Sequence, residues 1–161
     1  MASITFKGFE KYGTVITQLY KETPKILGRV TYEGAGIIAD EIRKGITSLP
    51  IVEGFGTAEN PLPGGVTKTQ KLGLLDGFGI SGLQDDNGFV NVKLGFDEYN
   101  GTRTKTYPQG QPNALVARGV ESGTSWKQKH PFVRPAITRA RKRAEAKMAD
   151  VLDSELKKIM E

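Results

Sequence analysis

The chain contains no cysteine. That removes disulfides, thiolate metal sites and a cysteine nucleophile from consideration. It has one histidine, His130. Zinc and related metals favour histidine and cysteine donors, so a site for them is not expected. Long apolar runs are missing as well. No stretch nears the roughly 20 residues that cross a bilayer, and the opening MASITFKGFEKYG lacks the apolar core of a secretory signal. A cytoplasmic product is expected, soluble or built into something soluble, with no membrane partner. Catalytic signatures are also lacking. There is no G-x-S-x-G, P-loop or H-E-x-x-H. His130 is followed by proline and reads as part of a turn. Asp85 and Asp86 are adjacent, and adjacent strand residues point to opposite faces, which does not make a metal pair. Neither an enzyme nor a cofactor is expected.

What is present fits one domain, residues 1–161, long enough for a modest core. Glycine is abundant at 20 residues, and several glycines fall inside apolar-periodic stretches. The formal charge is +5, unevenly spread. From Lys127 to Lys147 there are eight basic residues and one acid, Glu145, so this window is +7 and the remainder is −2. A local patch of that kind attracts nucleic acid, a membrane surface or an acidic protein.

Ser3 to Lys7 has the pattern of a short strand. Phe9, Tyr12, Ile16, Leu19 and Tyr20 recur at helical spacing and suggest a first short helix. Thr23-Pro24 then has the form of a fresh helix start, since Thr caps and Pro suits the first turn. Leu27, Val30, Gly34, Ile38 and Ile42 carry the second helix to about Leu49. Gly34, Gly36 and Gly45 each cost a helix roughly 1 kcal/mol against Ala. They are read as points of close approach, the alternative being a helix broken in its middle. Residues 50–66, rich in Pro and Gly, read as a long loop with a contact role, though 51–57 has the makings of an edge strand. Thr67-Lys68-Thr69-Gln70 fits a capping box for a short helix ending near Gly77.

The hairpin signal lies at 78–96. A two-residue Asn87-Gly88 turn would set even positions against odd ones. A three-residue loop, 86–88, sets Ile80 opposite Leu94 and Phe78 opposite Phe96, and an apolar face normally decides register. Residues 97–111 are polar and turn-rich, and read as a protruding loop or a second hairpin. Asn113 is placed to cap a short helix with Val116 and Val120 inward and Gly123 at its end.

On a helical wheel, Val133, Ile137, Ala140, Ala144, Met148 and Val151 form one stripe of the last helix. Arg139, Lys142 and Arg143 fall roughly opposite. Most of the basic run then reads as the wet face of an amphipathic helix. Sequence-specific nucleic-acid binding would need a docking motif, or aromatics set among the cations, and only Trp126 and Phe132 are near. The basic face is left as solvated, meeting an acidic neighbour, or making non-specific contacts with passing DNA. The expected fold is α+β, with a small antiparallel sheet on the 78–96 hairpin packed by the 24–49 and 134–160 helices.

One resemblance spans most of the chain. A helical N-terminal region precedes T-K-T-Q-K-L-G-L-L, a hairpin ending V-K-L-G-F, then V-E-S-G-T at 120–124 and P-F-V-R-P-A at 131–136 before a long helix. This order resembles the tail-completion, or head–tail joining, proteins of long-tailed bacteriophages, the group that includes the lambda tail protein Z. The loops at 50–66 and 97–111 are longer and more polar than that pattern requires. The resemblance implies a structural virion protein at the head-proximal end of the tail. It would form a homo-oligomeric ring of six subunits that meets tail-tube or tail-terminator and head-connector proteins. The candidate interface residues are Arg118, Glu121, Thr124, Trp126, Arg134, Arg139, Lys142 and Arg143. Pro131, Phe132 and Pro135 would anchor the last helix. Arg118 and Glu121 are spaced to pair on their helix, or Glu121 to meet a cation across a subunit boundary.

Overall fold

The computed structural model describes the backbone of residues 9–161 and the side chains of residues 11–161. The strand expected at Ser3–Lys7 lies outside the described residues. In chain order the elements are α1 (Phe9–Thr47), α2 (Lys68–Gly77), β1 (Phe78–Ile80), β2 (Gln84–Asp86), β3 (Phe89–Asn91), β4 (Leu94–Phe96), α3 (Asn113–Ser122) and α4 (Val133–Met160). The fold is α+β: two long helices pack side by side, α2 and a small antiparallel set of strands sit against α1, and α3 packs on α2 and β4. Among the described residues no helix is long and apolar enough to cross a membrane.

α1 is one helix of 39 residues, not two. Pro24 sits inside it, although proline removes a ladder hydrogen bond and costs a helix interior about 3 kcal/mol. Thr23 does not cap a new start. Its hydroxyl donates to the Leu19 carbonyl at 2.7 Å. Tertiary packing explains the continuity, because the last turns of α4 lie along both sides of the proline. Lys158 and Ile159 line a cleft with Gln18 and Glu22, and Arg29 pairs with Glu155 at 2.8 Å. Of the three glycines, Gly34 and Gly45 are close approaches. A Cβ at Gly34 would lie 2.5 Å from Met148 Sδ, and one at Gly45 would lie 3.2 Å from the Phe132 carbonyl. Gly36 faces open space instead, in a groove of about 1090 Å³ bounded by α1, α4 and Leu83.

The core gathers Ala39, Ile42, Ile46 and Leu49 of α1 with Val66, Leu74, Phe78, Val116, Val120, Phe132 and Ala136. α4 docks mainly on α1, not on the sheet as its stripe suggested. Its buried face is Ala136, Ala140 and Ala144, while Ile137 is exposed. Small side chains let two long helices approach closely, so alanines hold the seam and the larger residue stays outside.

The hairpin resolves the register conflict by changing register. The outer ladder pairs Phe78 with Phe96 and Ile80 with Leu94. The inner ladder pairs Asp86 with Phe89, across a two-residue turn. Asn87 and Gly88 both have positive φ, which that turn requires. Three residues, 81–83, separate the ladders on one arm and two, 92–93, on the other. The extra residue shifts the pairing by one. Ser81 spans the step, its amide donating to Lys93 O and its hydroxyl accepting from Lys93 N, both at 2.8 Å. The three-residue turn is thus corrected, while the apolar pairing it was meant to secure is present.

The capping box on α2 is formed: Gln70 N donates to Thr67 Oγ1, and Thr67 N to Gln70 Oε1. Loop 50–66 makes no edge strand. It holds one parallel bridge within itself, Ile51 with Val66, and another, Leu62 with Lys127, to the segment before α4. Asn113 does not cap α3. It is the first helical residue, 1 % exposed, and its side chain turns inward. Gly123, at φ 78°, ends that helix.

Candidate functional site

Glu121 sits in the last turn of α3, with its side chain 11 % exposed. Its carboxylate accepts from the backbone amides of Phe132, Val133 and Arg134 at 2.8, 2.9 and 3.1 Å. These amides open α4, where a helix has unsatisfied donors and a partial positive charge. Neither Phe132 nor its neighbours cap locally, since no side chain there can accept. Glu121, eleven residues upstream, does so. Burial raises the carboxyl's affinity for a proton, and the three amides together with Arg134 outweigh that, leaving its pKa below the ordinary value. The pairing with Arg118 expected for Glu121 is not formed; the carboxylate turns to the start of α4 instead, with Arg134 the cation nearest it at 3.9 Å.

Around this cap the two segments 120–124 and 131–136 become one unit. The amide of His130 donates to the Val120 carbonyl at 2.8 Å. Phe132 is buried and meets Phe96 edge-on at 6.1 Å between centroids. Pro135 lies half-buried in the first turn of α4, while Pro131 is exposed. Thr124 exchanges backbone hydrogen bonds with Lys127. That turn braces loop 50–66, because Leu62 N donates to Trp126 O at 3.0 Å and Gln128 N to Leu62 O at 2.8 Å. Trp126 is 56 % exposed, and Phe55, fully exposed, adjoins Gly56, which lies against the Trp126 carbonyl. Lys127 is partly buried; burial lowers its pKa, partly offset by Glu53.

A second carboxylate, Glu41, was not singled out in the sequence. It is buried on α1 and faces α4. Lys44 Nζ lies at 2.8 Å, Arg143 Nη2 at 3.0 Å and Arg139 Nε at 3.4 Å. Hydrogen bonds from Lys44 first, then Arg143, hold its pKa down at about 2 against the opposing effect of burial. Arg139 and Arg143 are therefore not on a free wet face. The buried stripe is centred on Ala136, Ala140 and Ala144, which puts both arginines on its flank and leaves Lys142 opposite. The available signal was Glu41 itself, a charge set between Ile38 and Ile42 in an apolar stripe.

Five of the eight cations in the basic window pair with carboxylates. Arg139 and Arg143 take Glu41, Arg141 takes Glu145, Arg134 lies 3.9 Å from Glu121, and Lys147 lies 3.9 Å from Glu33. Lys129 and Lys142 have no ion pair among the described residues, and Arg118 stands exposed on α3. No family model, curated protein or solved structure matches the chain. Among the described residues, no three of His, Asp and Glu gather where they could hold a metal ion.

The polar loop 97–111 is tied at its base. Asn100, 4 % exposed, donates through Nδ2 to Gln111 O at 3.0 Å and Asn113 Oδ1 at 3.3 Å, and Asn113 Nδ2 donates to Asp97 O at 2.9 Å. Gly73 and Gly77 of α2 admit this pair, since a Cβ at either would collide with it. Asn100 and Asn113 were readable only as turn and cap residues. Their burial depends on the two glycines, which belong to a different element.

Proposed function

We propose that the chain is a structural protein of a long-tailed phage virion, completing the head-proximal end of the tail and joining it to the head as a six-subunit ring. The observation that carries this reading is the Glu121 cap. The two segments on which the resemblance chiefly rests, 120–124 and 131–136, form one hydrogen-bonded node across the turn that separates them. A node of that kind stiffens the junction of α3, α4 and loop 50–66. A ring subunit needs such rigidity, since a heterologous contact closes only at a fixed angle. The exposed pair Phe55 and Trp126 beside the node is the sort of aromatic anchor that interfaces use. Pairing of five window cations within the subunit weighs toward a protein partner and away from a phosphate-binding role. Non-specific DNA binding is the competing reading.

Mass photometry over a concentration series, with and without purified tail tubes, tests this. Closed oligomers of up to six copies, alone or on tube ends, are the expected result. A chain that stays monomeric in both conditions, yet shifts DNA with an affinity that falls steeply from 50 to 200 mM salt, would overturn it in favour of the DNA reading.

A further inference from the structure

The N-terminal part of α1 runs past the end of α4. Lys158 and Ile159 reach α1 at about Gln18 and Glu22, so residues 9–17 extend roughly 13 Å further without α4 beside them. The apolar face that α1 offers to α4, through Ile26 and Val30, continues along this overhang. There it is bare: Tyr12 is 70 %, Ile16 65 % and Tyr20 83 % exposed. Among the described residues, a face that packs against an antiparallel helix over most of its length is thus left unpartnered at one end.

We propose that this overhang binds the same overhang of a second copy, antiparallel, about a two-fold axis at Ile16. The stripe is a palindrome at helical spacing, Tyr12-Ile16-Tyr20. Laid antiparallel on itself, it sets Ile16 on Ile16 and each Tyr12 on a Tyr20, the reciprocal pattern of an isologous contact. Between Lys11 and Lys25 every charged side chain lies more than roughly 100° around the helix from Ile16. No charge is buried and no like charges face each other. With exposed aromatics contributing about 150–250 Å² each when covered, the contact hides on the order of 1,000 Å² in total, the lower bound for a specific interface. The dimer is accordingly weak and concentration-dependent. The contact goes beyond the ring reading and does not depend on it.

The absence of native cysteine makes the test direct, because a single introduced cysteine reports one position. In the full chain, Ile16→Cys is expected to form a disulfide-linked dimer under mild oxidation. Tyr12→Cys mixed with Tyr20→Cys should cross-link more than either does alone. Ile16→Asp, at an exposed site, should melt like the parent while its dimerisation in sedimentation weakens tenfold or more. The proposal is overturned if Ile16→Cys fails to link to itself. It is also overturned if Ile16→Cys links only when mixed with Gly36→Cys, which would seat the overhang in the α1–α4 groove of a neighbour. Unchanged sedimentation of Ile16→Asp would equally refute it. Tube-dependent ring formation by the Ile16→Asp variant separates this contact from the ring.

Discussion

Glu121 and Glu41 organise the molecule through different chemistry. Glu121 satisfies amides that have no other protein acceptor, so its loss leaves partly buried helix-end donors unpaired. Glu121→Ala is expected to cost about 2–3 kcal/mol, in the range for hydrogen bonds to a charged group. For a chain of this size that is a fall of roughly 5–10 °C in melting temperature, measurable by circular dichroism. A fall under about 2 °C would mean that solvent replaces the cap. Both carboxyls titrate below their ordinary values in the folded state. The unfolded chain therefore binds protons first as pH falls. The stability they contribute is complete above about pH 4.5 and is lost toward about pH 2, where Glu41 protonates. Melting temperature should drop across that window. Glu41→Gln should start lower at pH 7 and drop less steeply; parallel curves for variant and parent would sink the assignment.

At the scale of elements, the hairpin is where two sequence rules competed. Ile80 and Leu94 are half-buried cross-strand neighbours packed on the core. Truncating either to Ala should cost about 1–3 kcal/mol, less than a fully buried site would. Urea denaturation with an unchanged slope checks this. The apolar pairing was legible because alternation reports which face is buried. The turn was not, because a one-residue step between two short ladders leaves no mark on that alternation. α2 was legible to its cap, since Thr67 and Gln70 act locally. The unbroken α1 was not, because what carries it across Pro24 is α4, more than a hundred residues away. The α4 seam was misjudged for a related reason. Alanine is a weak apolar signal, yet it is what a close helix pair selects. Of the candidate site, the segments 120–124 and 131–136 were recognisable, but not that one caps the other. Gly73→Ala is a further check at this scale. Raised helix propensity favours the change, but the added methyl meets Asn100, so net destabilisation of about 1–3 kcal/mol is expected in a thermal melt.

For the whole molecule, a +7 window does not mean a free +7 surface. Converting Arg139, Lys142 and Arg143 together to Gln should lower the melting temperature by several degrees, because Glu41 would stay buried with only Lys44 beside it. Lys142→Gln alone should leave folding unchanged within about 0.5 kcal/mol. Differential scanning calorimetry of both variants separates the two roles. Equal melting for the triple variant and the parent would mean that Lys44 suffices.

The seam between α1 and α4 also bears on how the chain is made. The α1 segment is fully synthesised at residue 47, yet the helix that carries it across Pro24 is not finished until residue 160. At about 5–20 residues per second on the ribosome, Ile26, Val30 and the neighbouring glycine notch wait roughly 6–23 s without a mate. Contacts between chain ends this far apart also form slowly after release. The nascent chain therefore spends its most aggregation-prone interval with the apolar residues of α1 unmatched, a natural client for a holding chaperone.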